Sequence, residues 1–208
     1  MSKFQTEQEH FWEGQFGDEY TDRDHNRGEE LLTKNVFFWG KVLSRIPKIN
    51  SILELGCNIG MNLRALNKIN PNFHLVGYEI NKKAAEECEK TNIARVQNSS
   101  ILEPILEEVS FDLTIAKGVL IHINPESLNK VYENLYNMTS KYILVADYYN
   151  PSPVMVEYRG HKDRLFKRDF AGELIDKYDL KLIDYGFEYH RDNYFPQDDF
   201  NWFLLEKK

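Results

Sequence analysis

The chain has 208 residues, enough for one compact domain with a sizeable core and too few for two domains of ordinary size. Hydrophobic residues make up 42%, charged residues 28% and aromatic residues 13%, a mixture typical of a globular protein and not of a disordered one. The formal net charge of −7 repels a nucleic-acid backbone on average, so we expect no nucleic-acid partner without a local basic patch.

Cysteine content and hydropathy exclude further classes. The two cysteines, Cys57 and Cys88, have no metal-like spacing, so neither a disulfide framework nor a Cys-based zinc site is indicated. The sequence has no run of about 18 apolar residues, and Met1–Glu13 lacks the apolar core of a signal peptide. We therefore expect a cytoplasmic protein with no membrane partner.

In chain order, a polar and aromatic leader, residues 1–27, precedes alternating helices and strands. Apolar residues at helical spacing predict a helix over Gly28–Leu43. Further predicted helices are Met61–Ile69, one from Lys82, one from Asn124-Pro125, and Lys167–Tyr178; predicted strands are Ser51–Leu55, His74–Glu79, Ala94–Gln97, Phe111–Ala116, Lys141–Asp147, Leu180–Tyr189 and Phe200–Glu206. This alternation predicts an α/β protein whose parallel sheet is covered on both sides, with a terminal antiparallel pair at one edge.

The segment Ser51–Asn62 (SILELGCNIGMN) lies where the first strand turns into a helix, the usual ligand-binding edge of an open α/β sheet. Gly56 and Gly60 allow a sharp turn and a close approach to a ligand. A dinucleotide fingerprint is excluded because Asn58 and Met61 stand where it needs glycine, and a Walker loop lacks its Gly-Lys-Ser/Thr. Acidic residues, Glu54 before the turn and Glu79 at the end of the next strand, predict contacts to a ligand with hydroxyl or cationic groups.

With this acid-x-Gly-x-x-x-Gly pattern and Glu79, the chain resembles the class I S-adenosylmethionine-dependent methyltransferases over roughly residues 50–148. The resemblance implies a Rossmann-like sandwich with a seven-stranded, mostly parallel sheet whose last strand is antiparallel, in a single domain 1–208. It implies S-adenosylmethionine as cofactor, with Glu79 on the ribose and no metal. The residues it places at the cofactor are Trp12, Tyr20, Glu54, Gly56, Cys57, Asn58, Gly60, Glu79, Ile80, Asn98, Ser99, Ser100 and Lys117.

A narrower resemblance covers nearly the whole chain. The leader from Phe11 to Tyr20 (FWEGQFGDEY) and the segment Tyr158–Phe170 (YRGHKDRLFKRDF) are similar to the pseudaminic acid biosynthesis-associated methylases. This resemblance implies a small anionic acceptor, a sugar or nucleotide-sugar of nonulosonic acid biosynthesis, methylated on oxygen or nitrogen.

His122 and Tyr149 are the candidate catalytic residues. His122 follows the fourth strand, where it acts either as a general base or as a packing histidine. Asp147 ends the fifth strand, and the phenols after it belong to a sheet edge where we expect the acceptor. For Cys57, whose sequence neighbours include no cation, we expect a packing role rather than a reactive thiol.

The segment Tyr158–Phe170 holds five basic and two acidic residues, a net +3 in an acidic protein. It is interpreted either as a solvated face leading into the last helix or as a site that grips an anion through arginine. The candidate acceptor-binding residues are Tyr148, Tyr149, Tyr158, Arg159, His161 and Arg164.

Residues 1–27 are interpreted either as a lid whose aromatic residues exclude water from the cofactor or as an extension of the core. Three rival functions compete with methyl transfer. A non-catalytic S-adenosylmethionine-binding module would keep the pocket without turnover. A nicotinamide oxidoreductase is disfavoured by Asn58 and Met61, and a nucleic-acid methyltransferase by the acidic composition.

Overall fold

The structure, a computed structural model, describes residues 4–208 as an α/β fold. Its main sheet has seven strands, in the spatial order Arg95–Asn98, His74–Glu79, Ser51–Leu55, Phe111–Lys117, Thr139–Asp147, Phe200–Glu206 and Lys181–Glu188. The last strand along the chain, Phe200–Glu206, is antiparallel to both of its neighbours. The predicted fold class is therefore confirmed. The described residues divide into two compact units, one ending at Glu103 and one beginning at Pro104; the single domain 1–208 stays a prediction.

The first unit contributes three parallel strands to the sheet. Its elements are α1 Glu7–Glu13, α2 Gln15–Asn26, α3 Gly28–Leu43, β1 Ser51–Leu55, α4 Met61–Ile69, β2 His74–Glu79, α5 Lys82–Glu89 and β3 Arg95–Asn98. Strand β2 pairs in parallel with β1 on one side and β3 on the other. Residues Ile52–Leu55 of β1 are fully buried, which explains why this strand reads as a continuous apolar run around one acid.

The leader is helical within the described residues. Helix α1 begins with a capping box, in which the Thr6 hydroxyl accepts from the Glu9 N–H and the Glu9 carboxylate accepts from the Thr6 N–H. Gly14 separates α1 from α2. Gly17 lies against the Trp12 carbonyl and the Asn81 side chain, so a Cβ at this position would clash with both. The leader helices therefore pack closely on the rest of the first unit.

The second unit supplies the other four strands. Its elements are β4 Phe111–Lys117, short 3₁₀ turns Leu120–His122 and Pro125–Ser127, α6 Leu128–Met138, β5 Thr139–Asp147, β6 Val154–Tyr158, β7 His161–Lys167, α7 Phe170–Tyr178, β8 Lys181–Glu188 and β9 Phe200–Glu206. Strands β4 and β5 are parallel, whereas β9 runs antiparallel to both β5 and β8. The predicted terminal pair is confirmed. No helix among residues 4–208 is long and apolar enough to cross a membrane.

The segment Tyr158–Phe170 leads into the last helix, as expected, but it contains a strand that the sequence analysis did not predict. These residues form strand β7 and the turn of a two-stranded antiparallel hairpin with β6. Arg159 and Gly160 make the two-residue turn with φ of +50° and +84°, the left-handed geometry that matches strand twist. The last helix was predicted from Lys167 but begins at Phe170, because the Asp169 carboxylate caps it by accepting from the Gly172 N–H at 2.8 Å.

Candidate functional site

The loop between β1 and α4 has the shape expected of the glycine motif. Gly56 and Gly60 have φ of +75° and +77°. Asn58, which stands where the resembled family has its middle glycine, also has a positive φ, +48°. Asparagine tolerates the left-handed region better than most side chains, so the loop keeps the sharp turn without the third glycine.

Glu54 is fully buried near the end of β1 and is held by a polar chain. Its Oε1 accepts from Asn62 Nδ2 at 2.6 Å, and Asn62 Oδ1 accepts from Trp39 Nε1 at 3.2 Å. Asn62 lies on the first turn of α4, directly after the glycine loop. Sequence reasoning missed its role, although a polar residue there on an otherwise apolar helix face was a readable signal.

The Glu79 carboxylate joins the loops that follow β1 and β2. One oxygen accepts from the Asn58 N–H at 2.7 Å and the other from the Asn81 N–H at 2.8 Å. Burial raises the pKa of Glu79, and backbone hydrogen bonds from Asn81, Asn58 and Ile80 oppose that rise. A carboxylate offers about four lone-pair sites, so Glu79 retains capacity for one further donor such as a ribose hydroxyl.

Three side-chain hydrogen bonds connect the leader to the loops at the carboxyl ends of β1, β2 and β3. Asn58 Nδ2 donates to Asp24 Oδ2 at 2.7 Å. Asn81 Nδ2 donates to Asp18 Oδ1 at 2.9 Å, and Ser100 Oγ donates to Glu9 Oε1 at 2.5 Å. Helices α1 and α2 therefore lie along the strand ends where the sequence predicted the cofactor. Sequence reasoning missed these acidic partners.

The remaining predicted cofactor residues of the first unit have mixed environments. The half-buried Trp12 packs edge-to-face on Tyr20, with ring centres 5.3 Å apart. The Asn98 side chain donates to the carbonyls of Glu79 and Ile80, and the Ser99 N–H donates to the Glu79 carbonyl. These contacts fix the backbone on the side of the sheet predicted for adenine.

Cys57 lies fully packed inside the glycine loop. The neighbouring Cys88 thiol and burial raise the pKa of Cys57. The thiol also lies 2.6 Å from where a Cβ on Gly77 would stand, so it fills the space between the loop and β2. These surroundings agree with the predicted packing role and not with a nucleophile.

His122 is buried in the second unit with a defined tautomer. Its Nδ1 lies 2.7 Å from the carbonyl oxygen of Arg164, and because a carbonyl only accepts, Nδ1 carries the proton. Burial lowers the pKa of His122 to about 4, so the ring is neutral at physiological pH with its lone pair on Nε2.

Tyr158 brings several of the predicted acceptor residues together. The guanidinium carbon of Arg159 lies 5.6 Å from the centre of the Tyr158 ring, and Tyr158 also acts electrostatically on Tyr148. The Tyr158 and His122 rings lie 4.9 Å apart beside Arg164. Arg159 and His161 are exposed at the hairpin turn.

Tyr148 lies under the Lys167 ammonium, and burial raises the pKa of Tyr148 to about 12. In the same unit, Tyr149 is 40% exposed with its ring 6.0 Å from Phe203, and Lys117 has its ammonium 5.0 Å from the centre of the Phe200 ring.

Asp147, at the end of β5, is a buried carboxyl group. Its Oδ2 accepts from the Leu120 N–H at 3.1 Å, whereas its Oδ1 has no hydrogen-bond partner among residues 4–208. Burial raises the pKa of Asp147 to about 8, against the opposing effects of the Leu120 N–H and the Lys117 charge. At neutral pH this group is therefore mainly protonated.

A second polar network in this unit was missed by sequence reasoning. Glu173 accepts from the Tyr132 hydroxyl at 2.7 Å and from Arg168 Nε at 2.6 Å. Arg168 is thus neutralised within the fold. Among the described residues, no group of three or more His, Cys, Asp or Glu side chains could hold a metal ion.

A family model described as a methyltransferase domain matches residues 53–141, which run from β1 into β5. No curated protein matches the chain significantly. The predicted class therefore agrees with the family matched over this segment.

Solved structures share the fold at low sequence identity. The magnesium protoporphyrin IX methyltransferase of Synechocystis PCC 6803, with S-adenosylmethionine bound, aligns over 100% of both chains with TM-score 0.67 and 11% identity. An S-adenosylmethionine-dependent methyltransferase from Clostridium acetobutylicum aligns over 90% of this chain and 98% of its own, with TM-score 0.64 and 12% identity. The methyltransferase domain of bacterial CtHen1-C aligns over 85% and 98%, with TM-score 0.66 and 14% identity.

The glycine loop yields a prediction with a matched control. A methyl group on Gly60 would fall against the Cys88 sulfur, whereas Gly118, which also has a positive φ, faces open space. Gly118→Ala should lower the free energy of unfolding by about 1–2 kcal/mol, because alanine disfavours the left-handed backbone. Gly60→Ala should lower it by that amount plus about 1–3 kcal/mol, because the added methyl group overpacks the site. Urea unfolding measures both, and equal losses would contradict the close approach of α5 to the loop.

The buried Asp147 predicts a pH dependence of stability. Its pKa is higher in the folded state than the ordinary 3.8, so its stabilising contribution is present at low pH and is lost as pH rises through about 8. Relative to Asp147→Asn, the wild type should lose on the order of a few kcal/mol of unfolding free energy between pH 5 and pH 9. Urea midpoints across that range measure the difference, and a constant difference would mean that the carboxyl ionises freely.

The tautomer of His122 predicts an NMR titration. The resonances missing from His122→Gln should show no midpoint between pH 5 and pH 8 in the wild type, because burial lowers the pKa of this ring to about 4. A midpoint near 6.5 for His122 would contradict its burial against the Arg164 carbonyl.

Proposed function

We propose that the protein transfers a methyl group from S-adenosylmethionine to an oxygen or nitrogen atom of a small anionic acceptor. The observation that carries this proposal is the Glu79 carboxylate, which fixes the glycine loop after β1 and still has capacity for a hydroxyl donor. The methyltransferase-domain match over residues 53–141 supports it from the sequence side.

The residues of the first unit suit the parts of this cofactor. Glu79 would take a ribose hydroxyl, the loop from Gly56 to Gly60 would line the methionyl part, and residues 98–100 would lie beside the adenine. The aromatic pair Trp12 and Tyr20 would cover it and exclude water. When bound, the cofactor supplies a sulfonium methyl group that is already activated for transfer, so positioning provides much of the acceleration.

The residues of the second unit would handle the acceptor and its proton. His122 presents Nε2 as a neutral base, which could take the proton released when an O–H or N–H group is methylated. Tyr149 is the second candidate for this role, but its exposed ring lacks the burial and fixed orientation of His122. We therefore assign the proton to His122.

The hairpin supports an anionic acceptor. Arg159 and Lys162 lie exposed on it, and Arg164 lies half-buried next to His122 through its own carbonyl group. Guanidinium groups favour the paired oxygen atoms of carboxylates and phosphates. An acidic sugar or nucleotide-sugar, such as an intermediate of nonulosonic acid biosynthesis, has this chemistry.

The cofactor is tested first by thermal unfolding with S-adenosylmethionine, S-adenosylhomocysteine and NAD in parallel. A ligand at about 100 times its Kd adds about 2.7 kcal/mol, a shift of roughly 5–10 °C for this size. We expect shifts with both adenosyl sulfur compounds and none with NAD. A shift with NAD alone would overturn the proposed cofactor.

The acceptor is tested by measuring S-adenosylhomocysteine release with a panel of acidic sugars, nucleotide-sugars and neutral sugars. Arg159→Ala/Arg164→Ala should raise the acceptor KM at least about tenfold while sparing cofactor affinity, because each lost contact to a charged group is worth about 1.5–3 kcal/mol. Arg45→Ala/Lys48→Ala, outside the hairpin, controls for net charge. An unchanged KM would mean that the hairpin is a solvated surface without a role in acceptor binding. Cofactor binding without turnover would favour a non-catalytic binding module.

A further inference from the structure

Arg23 on α2 has a buried donor that the fold itself does not use. Its Nη2 is shielded from solvent and has no hydrogen-bond partner among residues 4–208. Its guanidinium carbon lies 4.4 Å from the centre of the Tyr20 ring. A buried guanidinium N–H without an acceptor is costly, so the arrangement calls for an anionic group from outside the chain.

The leader places Arg23 at the strand ends of the first unit. The next residue, Asp24, accepts from the side chain of Asn58 in the glycine loop. One turn earlier, Tyr20 packs on Trp12. Asp18 on the same helix accepts from Asn81, which follows β2. Arg23 therefore lies on the stretch of α2 that is fastened to the loop between Gly56 and Gly60.

The carboxylates at this edge have partners other than Arg23. Glu54 accepts from the Asn62 amide, Glu79 from two backbone N–H groups, and Asp24 from the Asn58 amide. Each of these acids has at least one neutral donor, while the guanidinium group of Arg23 lies over the Tyr20 ring. Its Nη2 has no acceptor among the described residues.

We propose that Arg23 binds the carboxylate of the methionyl part of S-adenosylmethionine and of the product S-adenosylhomocysteine. The inference rests on the proposed function, in which the adjacent glycine loop lines that part of the cofactor. A guanidinium group pairs with a carboxylate through two parallel N–H···O bonds, and burial strengthens them. The same contact would join α2 directly to the ligand.

The test compares two ligands by calorimetry. S-adenosylhomocysteine carries the carboxylate, whereas 5′-methylthioadenosine keeps the adenosine and the thioether without it. Arg23→Ala should lower the affinity for S-adenosylhomocysteine about 10- to 100-fold. It should change the affinity for 5′-methylthioadenosine less than about twofold. Arg23→Met, which keeps the apolar stem against Tyr20, should behave in the same way and guards against misfolding. Arg27→Ala, on the exposed Arg27–Glu30 pair, is the matched control and should change neither affinity.

The outcomes separate this inference from the function on which it rests. Equal weakening of both ligands, or no weakening of either, in a wild type that binds S-adenosylhomocysteine would overturn the role of Arg23 and leave the proposed function standing. Failure of the wild type to bind S-adenosylhomocysteine would overturn both. Selective loss of the carboxylate-bearing ligand in Arg23→Ala and Arg23→Met, with Arg27→Ala unchanged, is the expected result.

Discussion

The first unit is organised around one buried carboxylate. Glu79 accepts backbone hydrogen bonds from Asn58 and Asn81. These bonds hold the two loops that follow β1 and β2. With their backbones fixed, the side chains of these asparagines donate to Asp24 and Asp18 on α2. The placement of the leader, and with it of Arg23 and the aromatic pair, therefore depends on Glu79.

The local sequence pattern was sufficient to predict the bounds of the elements around the glycine loop. Strand β1, helix α4 and strand β2 have the bounds that apolar periodicity and the glycine loop predicted. The hairpin of β6 and β7 escaped because most residues of Val154–Tyr158 are exposed on both faces, so no alternation of buried and polar residues marks the strand. Its one readable signal was Arg159-Gly160, a two-residue turn with glycine in second place.

The candidate site was predictable only where it is local in sequence. Glu54, the glycine loop and Glu79 lie within one strand–helix–strand unit, and their types alone indicate a ligand-binding edge. The pair Asp24 and Asn58 is 34 positions apart, and the pair Tyr132 and Glu173 is 41 apart. Such contacts follow from how a helix docks, which depends on the shapes of surfaces that no periodicity in the sequence records.

Burial removes the charge from two titratable groups inside the second unit. It keeps the His122 ring neutral by lowering its pKa to about 4 and keeps Asp147 mainly protonated at neutral pH by raising its pKa to about 8. Neither buried group then opposes a negatively charged molecule, and Glu173 is already matched by Arg168. For the anionic acceptor that we propose, the positive charges of Arg159 and Arg164 on the hairpin would act beside uncharged buried groups, although the chain as a whole is acidic. The proposed recognition of an anion would therefore depend on the uncharged interior as much as on the basic hairpin.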